Sequence, residues 1–276
     1  MKITKNTQVC ISIAGRPGNL GANLFNASFE ALSLDFIYKP FQVSEDKLSS
    51  AVDGIRSFGI RGCGVSMPHK VTVLEYLDEI DSVAEKIGAV NTIVNSNRVL
   101  RGYNTDFEGA RMAVNTRYNI NKKKVFVIGA GGAARAIIMA LKESQPGEIY
   151  ITNRDEVVGE QVAKEFNLRY FPYNNKDNFE GDFLINATSV GMLPYSDEMI
   201  ITNESLRSYE AVMDVVVYPN TTLLIKSAKE YGKVVIPGFE MALYQAAAQF
   251  KLYTNQEAPL NIMRESMDNF YKTEMV

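Results

Sequence analysis

The stretch Val125-Phe126-Val127-Ile128-Gly129-Ala130-Gly131-Gly132-Ala133-Ala134 decides the fold. Its first four residues are β-branched or aromatic and read as a buried strand. Small residues follow at once, and from Ala133 to Ser144 the apolar positions recur at helical spacing. A strand, a glycine turn and a helix in that order form a phosphate-binding unit. Gly129 permits the tight turn, Gly131 lets backbone approach a pyrophosphate, and Ala134 lets helix and strand pack closely. Phosphate then rests on the partial positive charge at the helix N-terminus. Gly129, Ala130, Gly131, Gly132 and Ala133 are therefore candidate cofactor-binding residues, and the expected ligand is a dinucleotide.

Working outward, strand and helix patterns alternate on both sides of this stretch. Downstream, Glu148–Thr152, Phe183–Asn186, Ala211–Val217 and Val234–Pro237 read as strands, and Val157–Phe166 as a helix. Upstream, Val9–Ala14, Phe36–Tyr38, Ile60–Ser66 and Thr92–Val94 read as strands between helical patterns at Ala22–Ser33 and Asp46–Phe58. Asn95-Ser96-Asn97-Arg98 has the chemistry of a hairpin turn. Thr105 and Asp106, as cap and first-turn acid, open a helix over 105–118. Beyond Gly238 the pattern is helical, through Phe239–Thr254 and Leu260–Lys272, and those helices must pack on a sheet already built.

The fold class expected is α/β in two domains. Residues 1–104, completed by helices of 239–276, form an open α/β substrate-binding domain with a mainly parallel sheet. Residues 105–238 form a Rossmann-like, doubly wound nucleotide-binding domain. The two are expected to be joined by helices with a cleft between them.

The second nucleotide decision falls at Thr152-Asn153-Arg154-Asp155. Arg154 can pair bidentately with a 2′-phosphate, whereas Asp155 would repel it. The arginine tips the expectation to NADP, with NAD as the alternative, and places Asn153 and Arg154 at the ribose end.

Two further segments carry chemistry. Gly64-Val65-Ser66-Met67-Pro68-His69-Lys70 ends an apolar run in a lysine, and Gly102-Tyr103-Asn104-Thr105-Asp106 ends another in an aspartate. A Lys–Asp pair can manage the proton of an alcohol while a cofactor takes the hydride, so Lys70 and Asp106 are the candidate catalytic pair. Which of them accepts the proton stays open, and the pair can titrate as a unit. His69, the only histidine, is read as a bystander in a turn.

Composition excludes other classes. The 46% hydrophobic and 22% charged content is that of a globular chain, and a net charge of −3 offers no field for nucleic acid or an anionic membrane. Lys122-Lys123-Lys124 is only a local excess. Cys10 and Cys63 lie in apolar runs, as reduced buried thiols do, and no apolar stretch approaches a membrane span. Met1-Lys2-Ile3-Thr4-Lys5-Asn6 lacks the apolar core of a signal peptide, so the cytoplasm is the expected address. No metal is expected. The expected partner is a small hydroxy acid, with the chain a monomer or homodimer.

These motifs together resemble the shikimate/quinate dehydrogenase family. The resemblance runs through the lysine motif at 64–70, Gly88-Ala89-Val90-Asn91-Thr92, Asn104-Thr105-Asp106, Asn186-Ala187-Thr188-Ser189-Val190-Gly191-Met192, Asp214-x-x-x-Tyr218-Pro219 and Gly238…Met241-x-x-x-Gln245. It spans nearly the whole chain in order. It implies reversible hydride transfer between NADP, or sometimes NAD, and a hydroxyl of a cyclic polyol acid. It also implies Lys70 and Asp106 as the catalytic pair, Ser66, Asn91, Tyr218 and Gln245 around the substrate, and Asn186, Thr188, Met192 and Gly238 toward the cofactor. Taken singly, each of these has an ordinary structural explanation; their joint order favours function. One loop departs from the pattern. Where the family has two serines that hold the substrate carboxylate, Gly15–Asn23 places Asn19 and Gly21. That loop resembles the divergent shikimate dehydrogenase-like branch. An ordinary shikimate or quinate dehydrogenase and a non-catalytic dinucleotide sensor are the alternative expectations.

Overall fold

Period-two alternation builds the first sheet. The computed structural model describes residues 3–273. It divides into two compact units, one running to Thr105 and resuming from Gln245, the other Asp106–Tyr244. The first contains β1 (Gln8–Ala14), α1 (Leu20–Ala31), β2 (Phe36–Gln42), α2 (Leu48–Ser57), β3 (Gly62–Val65), β4 (Glu79–Ile80), α3 (Ser82–Ile87), β5 (Thr92–Ser96) and β6 (Val99–Tyr103). The strand order is β2-β1-β3-β5-β6-β4. Ile11, Ile13, Cys63 and Val65 point to one face, where Leu48, Val52 and Ile55 of α2 complete a core. Each fully buried aliphatic there contributes about 1.5–3 kcal/mol.

The opposite face is aromatic. Phe25 of α1 stacks on Tyr38 at 4.5 Å between centroids, and Phe29 lies 5.5 Å from Phe250. Phe250 and Tyr253 come from the end of a later helix that returns to this sheet. Gly62 makes that return feasible: a Cβ there would sit 2.2 Å from the Tyr253 ring. Arg61 fixes the helix end, donating from Nε to the Tyr253 carbonyl and from Nη2 to that of Leu252. Pro40 falls in β2, at the sheet edge, where a missing N–H costs no ladder bond.

This sheet is mainly parallel, through β1–β2, β1–β3 and β4–β6, with one strand reversed. β5 runs antiparallel to both β3 and β6. β5 and β6 form a hairpin whose two loop residues, Asn97 and Arg98, have φ of 54° and 70°, the sign that a two-residue hairpin turn demands. The helix expected over 46–58 starts as a 3-10 turn, Glu45–Lys47, before α2 proper. The short helix α3, capped by Asp81 through Val83 N–H, was not expected.

The second unit begins within α4 (Thr105–Asn115). It continues through β7 (Lys124–Ile128), α5 (Gly132–Glu143), β8 (Glu148–Thr152), α6 (Glu156–Glu165), β9 (Arg169–Tyr170), β10 (Phe183–Asn186), α7 (Asn203–Leu206), β11 (Ala211–Asp214), α8 (Leu223–Glu230) and β12 (Val234–Ile236). Its sheet is fully parallel, in the order β12-β11-β10-β7-β8-β9. Both faces are covered. Val125, Val127, Ile137 and Ile185 lie in one core, Phe126, Ile128, Leu184 and Leu224 in the other. The sequence order reverses between β7 and β10, which opens a crevice at their carboxyl ends. Helix α9 (Gly238–Thr254) leaves this unit, and α10 (Leu260–Thr273) packs against α1 in the first. Helix α8, capped by Thr222 through Ile225 N–H, is a second element the pattern does not announce.

Candidate active site

In the first unit the candidate residues gather at the carboxyl end of β3 and the start of β5. A turn at 66–69, closed by His69 N–H donating to the Ser66 carbonyl at 3.0 Å, reverses the chain after β3. It drives His69 inward: the ring is buried, with Nε2 2.9 Å from the Val43 carbonyl. A carbonyl only accepts, so Nε2 carries the proton, and His69 is structural. Lys70 follows at the half-buried rim, its own carbonyl accepting Val90 N–H at 2.7 Å. Ser66 is exposed beside it in sequence.

Asn91, 2% exposed, is the centre of a buried polar network. Its Oδ1 accepts from Thr105 N–H and Thr92 Oγ1, each at 2.7 Å. A backbone N–H can only donate, so the amide orientation is settled. Nδ2 therefore faces Thr105 Oγ1 at 3.0 Å and Gln245 Oε1 at 3.4 Å. Gln249, one turn beyond Gln245, holds the far side: its Nε2 donates to Thr92 Oγ1 at 2.9 Å and to the Asn91 carbonyl at 3.1 Å. Thr105 is thus not the cap expected from sequence. It is the first helical residue, and Asn91 receives its N–H from 14 positions away. This fixes the start of the helix that carries Asp106, itself 5% exposed.

The loop that departs from the family pattern sits at the start of α1. Asn19 is the N-cap position, exposed and making no side-chain cap bond. Gly21 lies in the first turn, where a Cβ would be 3.4 Å from the Tyr38 phenol. Burial pushes that phenol's pKa up, and Ser12 hydrogen-bonds it. Ser12, Tyr38 and Gln249 escaped the sequence reading, which had no local signal for them, and the buried network gives Thr92 and Thr105 partners that their motifs alone did not disclose.

The second unit carries the candidate cofactor residues. Gly129 has φ +120°, and a Cβ on it would lie 2.8 Å from the Ala187 carbonyl oxygen. Two loops thus meet at the β7/β10 crevice. At Gly131 a Cβ would meet nothing, so backbone is open there. Gly131 is the N-cap of the 12-residue α5 and brings no side-chain acceptor, leaving Gly132 and Ala133 N–H groups for an anion. Ala130, between the two glycines, is buried. These features fit the pyrophosphate of a dinucleotide. Gly129→Ala is expected to weaken cofactor binding about ten- to hundredfold, since the strained φ and the Ala187 overlap cost on the order of 1–3 kcal/mol. A titration leaving affinity unchanged would contradict this.

At the end of β8, Arg154 is exposed and Asn153 half-buried, its Nδ2 donating to the Asp155 carbonyl at 2.8 Å. Asp155 caps α6, accepting Val158 N–H at 3.2 Å. One of its carboxylate oxygens thus serves the helix end. At the end of β10, Asn186 Oδ1 accepts from Thr188 N–H at 3.1 Å and Thr188 Oγ1 at 2.6 Å. Met192 and Tyr218 are half-buried in the loops after β10 and β11, joined by Leu193 N–H donating to the Tyr218 carbonyl. Gly238 opens α9 against the Val216 carbonyl.

Comparison with known proteins follows the same division. Three family models match: "Shikimate dehydrogenase substrate binding domain" at residues 19–93, "Shikimate / quinate 5-dehydrogenase" at 108–220, and "Shikimate 5'-dehydrogenase C-terminal domain" at 238–267. The chain is 39% identical over 267 residues to a shikimate dehydrogenase-like protein of Haemophilus influenzae, covering 96% of this chain and 97% of that one. The chain belongs to the shikimate/quinate dehydrogenase family. Another member, the shikimate dehydrogenase (NADP(+)) of Methanobrevibacter smithii, is 38% identical over 254 residues, 88% of this chain and 90% of its own. Among solved structures of the family, a shikimate dehydrogenase in complex with NADP+ superposes with a TM-score of 0.90 at 34% identity, covering 98% of each chain. A shikimate 5-dehydrogenase from Listeria monocytogenes, in complex with shikimate and NAD, gives 0.85 at 33% identity, covering 96% and 98%. The family fold, a substrate domain and a Rossmann-like nucleotide domain, is the fold of this chain.

Proposed function

We propose that the protein is an NADP-linked, shikimate dehydrogenase-like oxidoreductase that transfers hydride between the nicotinamide and a hydroxyl of a cyclic hydroxy acid. The observation that carries this reading is the intact pair of Lys70 and Asp106. Lys70 stands beside Val90 in the first unit, and Asp106 follows Thr105, which Asn91 holds. The nicotinamide, when bound, supplies the hydride acceptor or donor. Lys70 and Asp106 take or return the hydroxyl proton. Asn91 and Gln245, locked amide to amide, orient polar groups of the substrate with Ser66 and Tyr218, while Asn19 and backbone at Gly21 face its carboxylate. The Gly129–Ala133 turn holds the pyrophosphate, and Asn153, Arg154, Thr188, Met192 and Gly238 complete the cofactor seat. The domains of this reading run 1–104 with 239–276, and 105–238. The enzyme is cytoplasmic, a monomer or homodimer, without nucleic-acid or membrane partner; no described helix is long and apolar enough to cross a membrane.

Absorbance at the reduced-nicotinamide band, with NADP and a panel of shikimate- and quinate-like acids, tests the reading. Turnover of at least one is expected. NADP binding with no turnover of any would favour the dinucleotide sensor, which the altered Asn19/Gly21 loop keeps in view.

Cofactor choice has its own test. Asp155 caps α6, and the exposed Arg154 beside it is the cation available to a 2′-phosphate. Arg154→Ala is expected to weaken NADP by about 10- to 100-fold, the worth of one or two hydrogen bonds to a charged group. NAD affinity should barely move. Equal losses for both cofactors would remove Arg154 from the ribose end.

A further inference from the structure

Asp214 is the last residue of β11, fully buried, with neutral groups as its neighbours. Its Oδ1 accepts from Asn186 Nδ2 at 3.1 Å and from Val216 N–H at 3.0 Å, and its Oδ2 from Thr222 Oγ1 at 2.6 Å. Burial raises its pKa to about 6, and those three hydrogen bonds oppose the rise. A buried carboxylate without a cation is costly to keep. An apolar residue would fill the space at less cost, so the carboxylate needs another explanation.

That explanation is Asn186. Thr188 N–H donates to its amide oxygen, so its amide nitrogen faces inward, and Asp214 is the buried acceptor that nitrogen meets. The same nitrogen donates to the Val190 carbonyl at 3.1 Å. The amide oxygen also accepts from Thr188 Oγ1, which in turn accepts Val190 N–H at 3.1 Å. Residues 187–190 are thereby held as one unit, and Ala187 is the wall against which Gly129 packs. On the other side, Thr222 caps α8 through Ile225 N–H and ends the loop that carries Tyr218. One carboxylate thus ties together the exits of β10 and β11, next to the crevice.

We infer that Asp214 is a positioning residue for the dinucleotide: through Asn186 it sets the 187–190 wall against which the cofactor lies, without touching the cofactor itself. The inference rests on the NADP reading above. Asp214→Ala is expected to raise the NADP dissociation constant about 10- to 100-fold. Asn186→Ala should give a comparable loss. The double variant should lose no more than either single one, since both act through one contact. Asp214→Asn keeps acceptors for Asn186 and Val216 and should restore most of the affinity.

Thermal melts report folding separately. If Asp214→Ala unfolds, the comparison of Asp214→Asn with Asn186→Ala carries the test. Additive losses in the double variant, or NADP affinity unchanged in a folded Asp214→Ala, would overturn the inference. A wild-type protein that binds no NADP would instead overturn the reading beneath it.

Discussion

Replacing Lys70 by alanine is expected to lower turnover by two to four powers of ten, roughly the contribution of a positioned acid–base group. NADP affinity should stay near that of the parent, because Lys70 lies in the first unit and the glycine turn in the second. The fold should tolerate the change. The backbone bonds that tie this segment down, Val90 N–H to the Lys70 carbonyl and His69 N–H to that of Ser66, are ones alanine retains. Asp106→Asn is close to isosteric at a buried position and should give a loss of the same order. If the two groups share one proton, the double variant loses little more than either single variant. Single-turnover rates and NADP titrations on the three variants decide this. Lys70→Ala turning over within tenfold of the parent would end the assignment of that lysine to chemistry.

What the sequence discloses depends on how local the cause is. The turn at Gly129 is legible because its glycine, the preceding apolar strand and the following helix all lie within about a dozen consecutive residues. The reversed strand of the first sheet is not, since period-two alternation in β5 is the same whichever way the strand runs. Helix α8 hides for another reason: its eight residues make barely two turns of pattern after Pro219-Asn220-Thr221. At the site, Lys70 and Asp106 stand out as charged residues closing apolar runs. The partner of Thr105 does not, because the acceptor is Asn91 across a hairpin, and no spacing rule reaches that far. The Arg154–Asp155 ambiguity is of this kind too. Sequence offers both signs of charge, and only the structure shows that Asp155 caps α6.

Restoring serine at both positions of the α1 loop, Asn19→Ser with Gly21→Ser, is expected to raise kcat/KM for shikimate by up to two to four powers of ten. Each hydroxyl would return one hydrogen bond to a carboxylate, worth about 1.5–3 kcal/mol, and the pair sets that range. The fold accommodates both changes. Serine is as good an N-cap as asparagine, and Asn19 makes no side-chain cap bond to lose. At Gly21 a new Cβ meets the Tyr38 ring at 3.4 Å, an ordinary contact, and serine suits a helix better than glycine. The gain should be confined to acids with a carboxylate on the ring, and the corresponding alcohol lacking that group should gain nothing. This contrast separates a restored carboxylate clamp from a general improvement of the loop. A natural substrate that uses Asn19 and the bare backbone of Gly21 should turn over more slowly in the double variant. If shikimate and its decarboxylated analogue respond alike, the carboxylate does not lie at the start of α1, and the departure of this loop from the family pattern has another origin.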